Sequence, residues 1–315
     1  MTYGIGDTSL VKAEKIGKEI GARELYLKLE GENPTGTHKD RLAIQHVDDA
    51  IIRNHDIITV GSCGNYALAM SFVTCKSSLK CVVFLPKKYT GSCRKTLGKY
   101  GAEIHTVEGG YEESVMASRE MAEKMGWYDA NPGNKNTSTS LVAYVDISEE
   151  IQEQLGETPS STSVPVGNGT TLAGIHLGFR LLWHKRRSTG IPRMIGVSST
   201  GNNSVIESFS KGFKEMVDLL PEDIQETEVN EPLLNWHAYD GQEALNAVYD
   251  TDGMAVGLSD QEMLHYQEML KADGIENVLP VSAAALGGLK RFLAENEIEG
   301  KHVIVLTSGV KNVRN

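Results

Sequence analysis

The chain has 315 residues, of which 40 % are hydrophobic and 23 % charged, with a formal net charge of −11. These are the proportions of a globular chain long enough for two lobes, and the acidic balance argues against nucleic acid or an anionic membrane as a partner. No stretch approaches the roughly 18 consecutive apolar residues of a membrane span, and no basic run precedes an apolar one at the N-terminus, so a cytoplasmic protein is expected.

In chain order, Tyr26–Leu29 has the composition of a short strand. Asn33-Pro34-Thr35-Gly36 is a turn signal. Thr37 is placed to cap a helix whose apolar positions Ile44, Val47 and Ile51 share a face. Strand and helix patterns then alternate. A strand is expected over Ile57–Val60, and after Gly64 a helix burying Leu68, Phe72 and Cys75. A strand over Cys81–Leu85, a helix over Cys93–Tyr100, a strand over Glu103–Val107 and a helix over Tyr111–Met125 complete the first part. Residues 127–145 are poor in periodicity and rich in Asn, Gly, Ser and Thr; the run Asn131–Ser140 is a loop by composition, and the hinge is expected near it.

A helix near Val145–Gln154 opens the second part. A strand (Val164–Val166), a helix (Leu172–Lys185) and a strand (Met194–Val197) repeat the alternation. Residues 211–240 are ambiguous, helices are expected near 241–250, 259–272 and 281–294, and the last strand is His302–Leu306. The pattern predicts an α/β protein of two lobes, each a mostly parallel twisted sheet covered by helices.

Four places carry chemistry. Lys39 falls in the first turn of its helix, where the partial positive charge of the helix N-terminus disfavours an ammonium group. A neutral amine is what Schiff-base formation with an aldehyde needs. A long stem reaching into solvent is the plainer reading of such a lysine. Gly61-Ser62-Cys63-Gly64-Asn65-Tyr66 joins a strand to a helix whose free amides can bind an anion, or serves packing alone. Val164-Pro165-Val166-Gly167-Asn168-Gly169-Thr170-Thr171 leads into a helix and has the same anion-binding potential. It is not a P-loop, lacking Gly-Lys-Ser/Thr, nor a dinucleotide fingerprint, whose third glycine would fall at Leu172. Thr307 and Ser308 directly follow the last strand. The four cysteines, Cys63, Cys75, Cys81 and Cys93, include no Cys-x-x-Cys pair, so reduced thiols and no bound metal are expected.

Asn33-Pro34-Thr35-Gly36-Thr37-His38-Lys39-Asp40-Arg41 resembles the active-site segment of the fold type II pyridoxal-phosphate (PLP) enzymes, usually Asn-Pro-Thr-Gly-Ser-Phe-Lys-Asp-Arg. It is most similar to the threonine synthases. Gly6–Leu10, Gly61–Asn65, Val164–Gly169, Leu279–Leu286 and Leu306–Gly309 resemble further segments of that family, in family order. The resemblance implies PLP in the cleft between two lobes. Residues 1–40 and 146–315 would form the larger, phosphate-binding lobe, and 41–145 the smaller, substrate-binding one.

It implies Lys39 as the Schiff-base lysine and Asn65 on the ring hydroxyl. Gly167, Asn168, Gly169, Thr170 and Thr171 would hold the phosphate. Thr307, or failing it Ser308, would face the pyridine nitrogen. Ser62, Cys63, Gly64, Asn65 and Tyr66 would receive the substrate carboxylate. Cys63, Tyr66 and Leu279 depart from the usual residues. The implied activity is that of a lyase converting O-phosphohomoserine and water to threonine and phosphate, in a homodimer acting on a small amino acid. Cysteine synthase-type β-replacement, serine or threonine dehydration, and a catalytically silent PLP-binding relative are the alternatives. Lys87, Lys88, Arg94 and Lys135 are candidates for a substrate phosphate by charge only, and solubility accounts for them equally.

Overall fold

The alternating patterns build two separate sheets, described in a computed structural model over residues 3–62, 64–87 and 92–309. The chain opens with β1 (Leu10–Lys12), α1 (Glu14–Ile20) and β2 (Glu24–Leu29). There follow α2 (Lys39–Ile52), β3 (Ile57–Gly61), α3 (Asn65–Thr74), β4 (Lys80–Pro86), α4 (Ser92–Lys99), β5 (Glu103–Val107), α5 (Tyr111–Met125), β6 (Tyr128–Asp129) and α6 (Thr137–Val142). The remainder is α7 (Val145–Leu155), β7 (Ser161–Pro165), α8 (Thr170–His184), β8 (Arg193–Ser199), α9 (Ser204–Ser210), α10 (Gly241–Asp250), β9 (Met254–Leu258), α11 (Asp260–Ala272), α12 (Pro280–Glu295) and β10 (Lys301–Leu306).

The smaller unit holds Asn33–Ala143 together with the N-terminal residues up to Ile5. Its sheet has the order β5-β4-β3-β6, all parallel. The larger unit holds Gly6–Glu32 and the chain from Tyr144 onward. Its sheet has the order β1-β2-β10-β7-β8-β9, parallel except for β1 against β2. Parallel strands need both faces covered, and Leu25, Leu27, Val164, Ile195, Val197, Val303, Ile304 and Val305 are accordingly buried. The two units change over between Glu32 and Asn33, and the turn before α2 is tied to α2 by Asp40. Lys39 therefore belongs to the smaller unit.

The sequence expectations hold for most elements and differ in four places. On α2 the buried stripe is Leu42, Ala43, His46, Val47 and Ala50, whereas Ile51 is 43 % exposed. A histidine with buried partners occupies an inward position that an apolar count leaves outside. On α3 the buried side is Tyr66, Ala67, Ala69, Met70, Ser71, Val73 and Thr74, with Leu68 and Phe72 only half-buried and Cys75 exposed. Small residues let that helix approach its neighbours and move the larger ones to the flank. The run Asn131–Ser140 is not one loop, and neither is the stretch 127–145 around it. The stretch contains β6, a 3-10 turn (Asn134–Asn136) and α6. Four short elements, β1, α1, α9 and β9, lie where no pattern announces them.

A buried polar cluster fixes the start of the larger unit. Lys28, fully buried, donates to the Thr8 carbonyl at 2.5 Å and to Gln154 Oε1 at 3.2 Å, and pairs with Glu150 at 2.5 Å. The Thr8 hydroxyl donates to Glu30 at 2.7 Å. The Gly6–Leu10 segment is thus tied to a buried ammonium that is itself paired and hydrogen-bonded, which offsets the cost of burying it.

Candidate active site

In the smaller unit the turn before α2 is built by sequence-local forces. Gly36 has φ +88°, and its amide donates to the Asn33 carbonyl at 2.8 Å. Only glycine adopts that conformation cheaply. Asp40, fully buried, accepts from the Thr35 amide at 2.7 Å and the Thr35 hydroxyl at 2.6 Å. The Thr37 hydroxyl accepts from the Lys39 amide at 3.1 Å, two residues on, with His38 standing between it and the helix. Lys39 begins α2 and is half-buried.

Farther along α2, His46 sits in a chain of hydrogen bonds. The Tyr128 hydroxyl donates to Asp49 at 2.6 Å, so His46 Nδ1 must carry the proton it shares with the Tyr128 oxygen at 3.0 Å. His46 Nε2 then accepts from Ser140 at 3.0 Å. Burial pushes this imidazole down to about 4, so the ring is neutral.

The Gly61–Tyr66 segment leaves the C-terminal end of β3, between β4 and β6. Gly61 packs on α5 so tightly that a Cβ would fall 2.4 Å from the Ser114 backbone. Its amide donates to Asn131 Oδ1 at 2.8 Å. Asn131 is fully buried and donates onward to Ser118 and Asp129 at 2.9 and 2.7 Å. Asn136 donates to the carbonyls of Asp129 and Asn131, both at 2.8 Å. The apparent loop residues are therefore an internal brace for the end of β3. The Ser62 hydroxyl accepts from the amides of Gly64 and Ala67 at 3.4 and 3.3 Å. Asn65 is half-buried at the first position of α3. Tyr66 is buried, and its hydroxyl donates to the Ala130 carbonyl at 2.8 Å. Cys63 and Lys88 lie outside the described residues.

In the larger unit the C-terminal ends of β2, β10 and β7 lie side by side, since Leu306 pairs with Leu29 and Ile304 with Ser163 in parallel register. Ligands of open α/β sheets bind outside such ends. The loop after β7 bends through Gly169, at φ +91°, where a Cβ would meet the Asp240 carbonyl at 2.7 Å. Asn203 donates to the carbonyls of Val166, Gly167 and Leu233 at 3.2, 3.0 and 3.0 Å. Asn235 donates to Asn168 Oδ1 at 3.0 Å, and the Thr170 hydroxyl to Asp240 at 2.6 Å. The acceptors of this loop are thus held by the protein. The amides of Gly167, Gly169, Thr170 and Thr171 find no acceptor among the described residues. Asn203, Asn235 and Asp240 were not legible as loop supports, because each lies more than thirty residues away in an unpatterned segment.

The turn after β10 holds two hydroxyls. Thr307 donates to Ser282 at 3.4 Å, whereas the buried Ser308 Oγ has no partner. A dianionic phosphate needs unpaired amides, a ring nitrogen needs a hydroxyl, and an aldehyde needs an amine. The chain has these in Gly167–Thr171, Ser308 and Lys39, so its residues fit PLP chemically. Among the described residues no group of three His, Cys, Asp or Glu side chains is disposed to hold a metal, and no helix is long and apolar enough to cross a membrane.

Fold and residue chemistry together define an α/β protein of the pyridoxal-phosphate-dependent class. A family model described as "Pyridoxal-phosphate dependent enzyme" matches residues 1–309, and the chain belongs to that family. It is 30 % identical to the threonine synthase of Methanocaldococcus jannaschii over 313 residues, covering 96 % of this chain and 74 % of the relative. It is 28 % identical to that of Methanosarcina acetivorans over 314 residues, covering 98 % and 75 %. Among solved structures it shares the fold of the processed form of threonine deaminase isoform 2 from Solanum lycopersicum (TM-score 0.82, 17 % identity, 99 % of this chain and 86 % of that one). It also shares the fold of O-ureido-L-serine synthase (TM-score 0.76, 20 % identity, 97 % and 90 %).

Proposed function

We propose that the protein is a threonine synthase-like lyase that converts O-phosphohomoserine and water to threonine and phosphate, as a cytoplasmic homodimer. The observation that carries the reading is the cradle at Gly167–Thr171, where the amides of Gly167, Gly169, Thr170 and Thr171, which have no acceptor among the described residues, lie around Gly169 at positive φ. It is supported by identity to curated threonine synthases along nearly the whole chain.

In this reading Lys39 would carry PLP, Asn65 would meet the ring hydroxyl, and Gly167, Asn168, Gly169, Thr170 and Thr171 would hold the phosphate. Ser308 is favoured over Thr307 for the ring nitrogen, because its hydroxyl is the one without a partner. Bound PLP supplies an electron sink for the pair left when the substrate loses its α-proton. A hydroxyl offers the ring nitrogen no anionic partner, which suits elimination and replacement better than transamination. With PLP bound, Lys39 would move protons at Nζ, taking the α-proton and later returning one to the substrate. Ser62, Gly64 and Asn65, with Cys63, receive the substrate carboxylate. Tyr66 contributes packing, its hydroxyl being committed to Ala130.

A second reading is elimination from serine or threonine, or β-replacement. It is favoured by the state of the phosphate candidates. Lys87 is exposed and paired with Glu108 at 2.5 Å, and Arg94 and Lys135 are exposed. The test is to supply the PLP-loaded protein with O-phosphohomoserine, threonine, serine and O-acetylserine separately. Release of phosphate with threonine from the first supports the proposal. A 2-oxo acid from threonine or serine, with no turnover of the first, replaces it with the second reading.

A further inference from the structure

Several constraints converge on residues 307–309. The Ser308 amide and the Thr307 hydroxyl both donate to Ser282 Oγ, at 3.3 and 3.4 Å. Gly309 forms an isolated antiparallel bridge with Val278. Gly31 backs the turn so closely that a Cβ there would fall 2.5 Å from the Gly309 nitrogen. Ser282 is fully buried in the first turn of α12. That helix lies directly on the sheet, since a Cβ at Gly288 would meet Val197 at 2.1 Å.

These constraints produce an asymmetry between adjacent hydroxyls. Thr307 has its partner in Ser282. Ser308, 5 % exposed, has none. A buried hydroxyl left unpaired is costly, so a ligand atom that pairs with it is bound the more tightly.

We infer that Ser282 is a positioning residue: it occupies Thr307 and holds the turn so that Ser308 alone offers its hydroxyl to the ring nitrogen of PLP. The inference rests on the functional reading above.

The test is reconstitution of the apoprotein with PLP, measuring affinity and the absorbance maximum of the bound cofactor. Ser308→Ala is expected to lose affinity about tenfold. Ser282→Ala is expected to lose roughly fivefold and shift the absorbance in the same direction, with Ser282→Thr restoring both. The double variant should be no worse than Ser308→Ala, because one residue acts through the other. Thr162→Val removes another buried hydroxyl without a partner in the same unit and is expected to bind as wild type. If Ser282→Ala does not fold, the nearly isosteric Ser282→Cys serves in the same cycle.

Wild-type affinity in the Ser282 variant, losses that multiply in the double variant, or an equal loss in Thr162→Val would overturn the inference and leave the functional reading standing. Wild-type apoprotein that takes up no PLP would overturn both.

Discussion

Asp40 holds Thr35 twice, by its amide at 2.7 Å and its hydroxyl at 2.6 Å, across the residue that begins α2, Lys39. The carboxylate is fully buried, so removing it leaves two donors without their acceptor. Asp40→Ala should cost roughly 3 kcal/mol in urea denaturation, and Asp40→Asn less, since one acceptor oxygen remains. Equal stability of Asp40→Ala and wild type would show that the turn is held by other contacts.

His46 links stability to pH. Its folded value of about 4 lies below the ordinary 6.5. The unfolded chain therefore binds the proton first, and the contribution is complete above about pH 6.5 and declines as pH falls toward 4. About 2 kcal/mol should be lost by pH 5. Urea midpoints between pH 7 and 5 should fall less steeply for His46→Gln than for wild type. Parallel slopes would contradict a buried neutral imidazole.

Gly169 combines a positive φ with no room for a side chain, as a Cβ would lie 2.7 Å from the Asp240 carbonyl and 2.8 Å from Ala244 Cβ. Gly169→Ala should lose roughly 3 kcal/mol. Added PLP, which stabilises a folded state that binds it, should raise the melting temperature of wild type but not of the variant. An equal rise in both would remove Gly169 from the cradle.

Lys28→Ala should cost about 3 kcal/mol, because it removes the cation paired with Glu150, whose carboxylate otherwise accepts from the neutral amides of Asp7 and Thr8. Lys28→Met with Glu150→Gln should recover part of that loss in guanidinium unfolding. Additive losses would mean that the pair is not coupled.

Elements whose signals are local were legible. Helix α5 is bounded by Gly110, whose amide donates to Glu113 at 2.7 Å, and by Gly126 at φ +68°, and its limits follow from the sequence. The glycine turns at Gly36 and Gly169 were legible for the same reason. Asn131 and Asn136 were not, because asparagine favours turns by composition, and burial here depends on Gly61, seventy residues earlier. Which of Thr307 and Ser308 has the unpartnered hydroxyl was equally hidden. It turns on Ser282, which meets them only after α12 has packed on the sheet.

Lys39 is the residue proposed to bind PLP covalently. Borohydride treatment of the PLP-loaded protein reduces that linkage, and proteolysis with mass spectrometry locates it. The pyridoxyl group is expected on the peptide containing Lys39 and is expected to be lost in Lys39→Ala. A label on a different lysine, or no label on protein that holds PLP, would contradict that assignment.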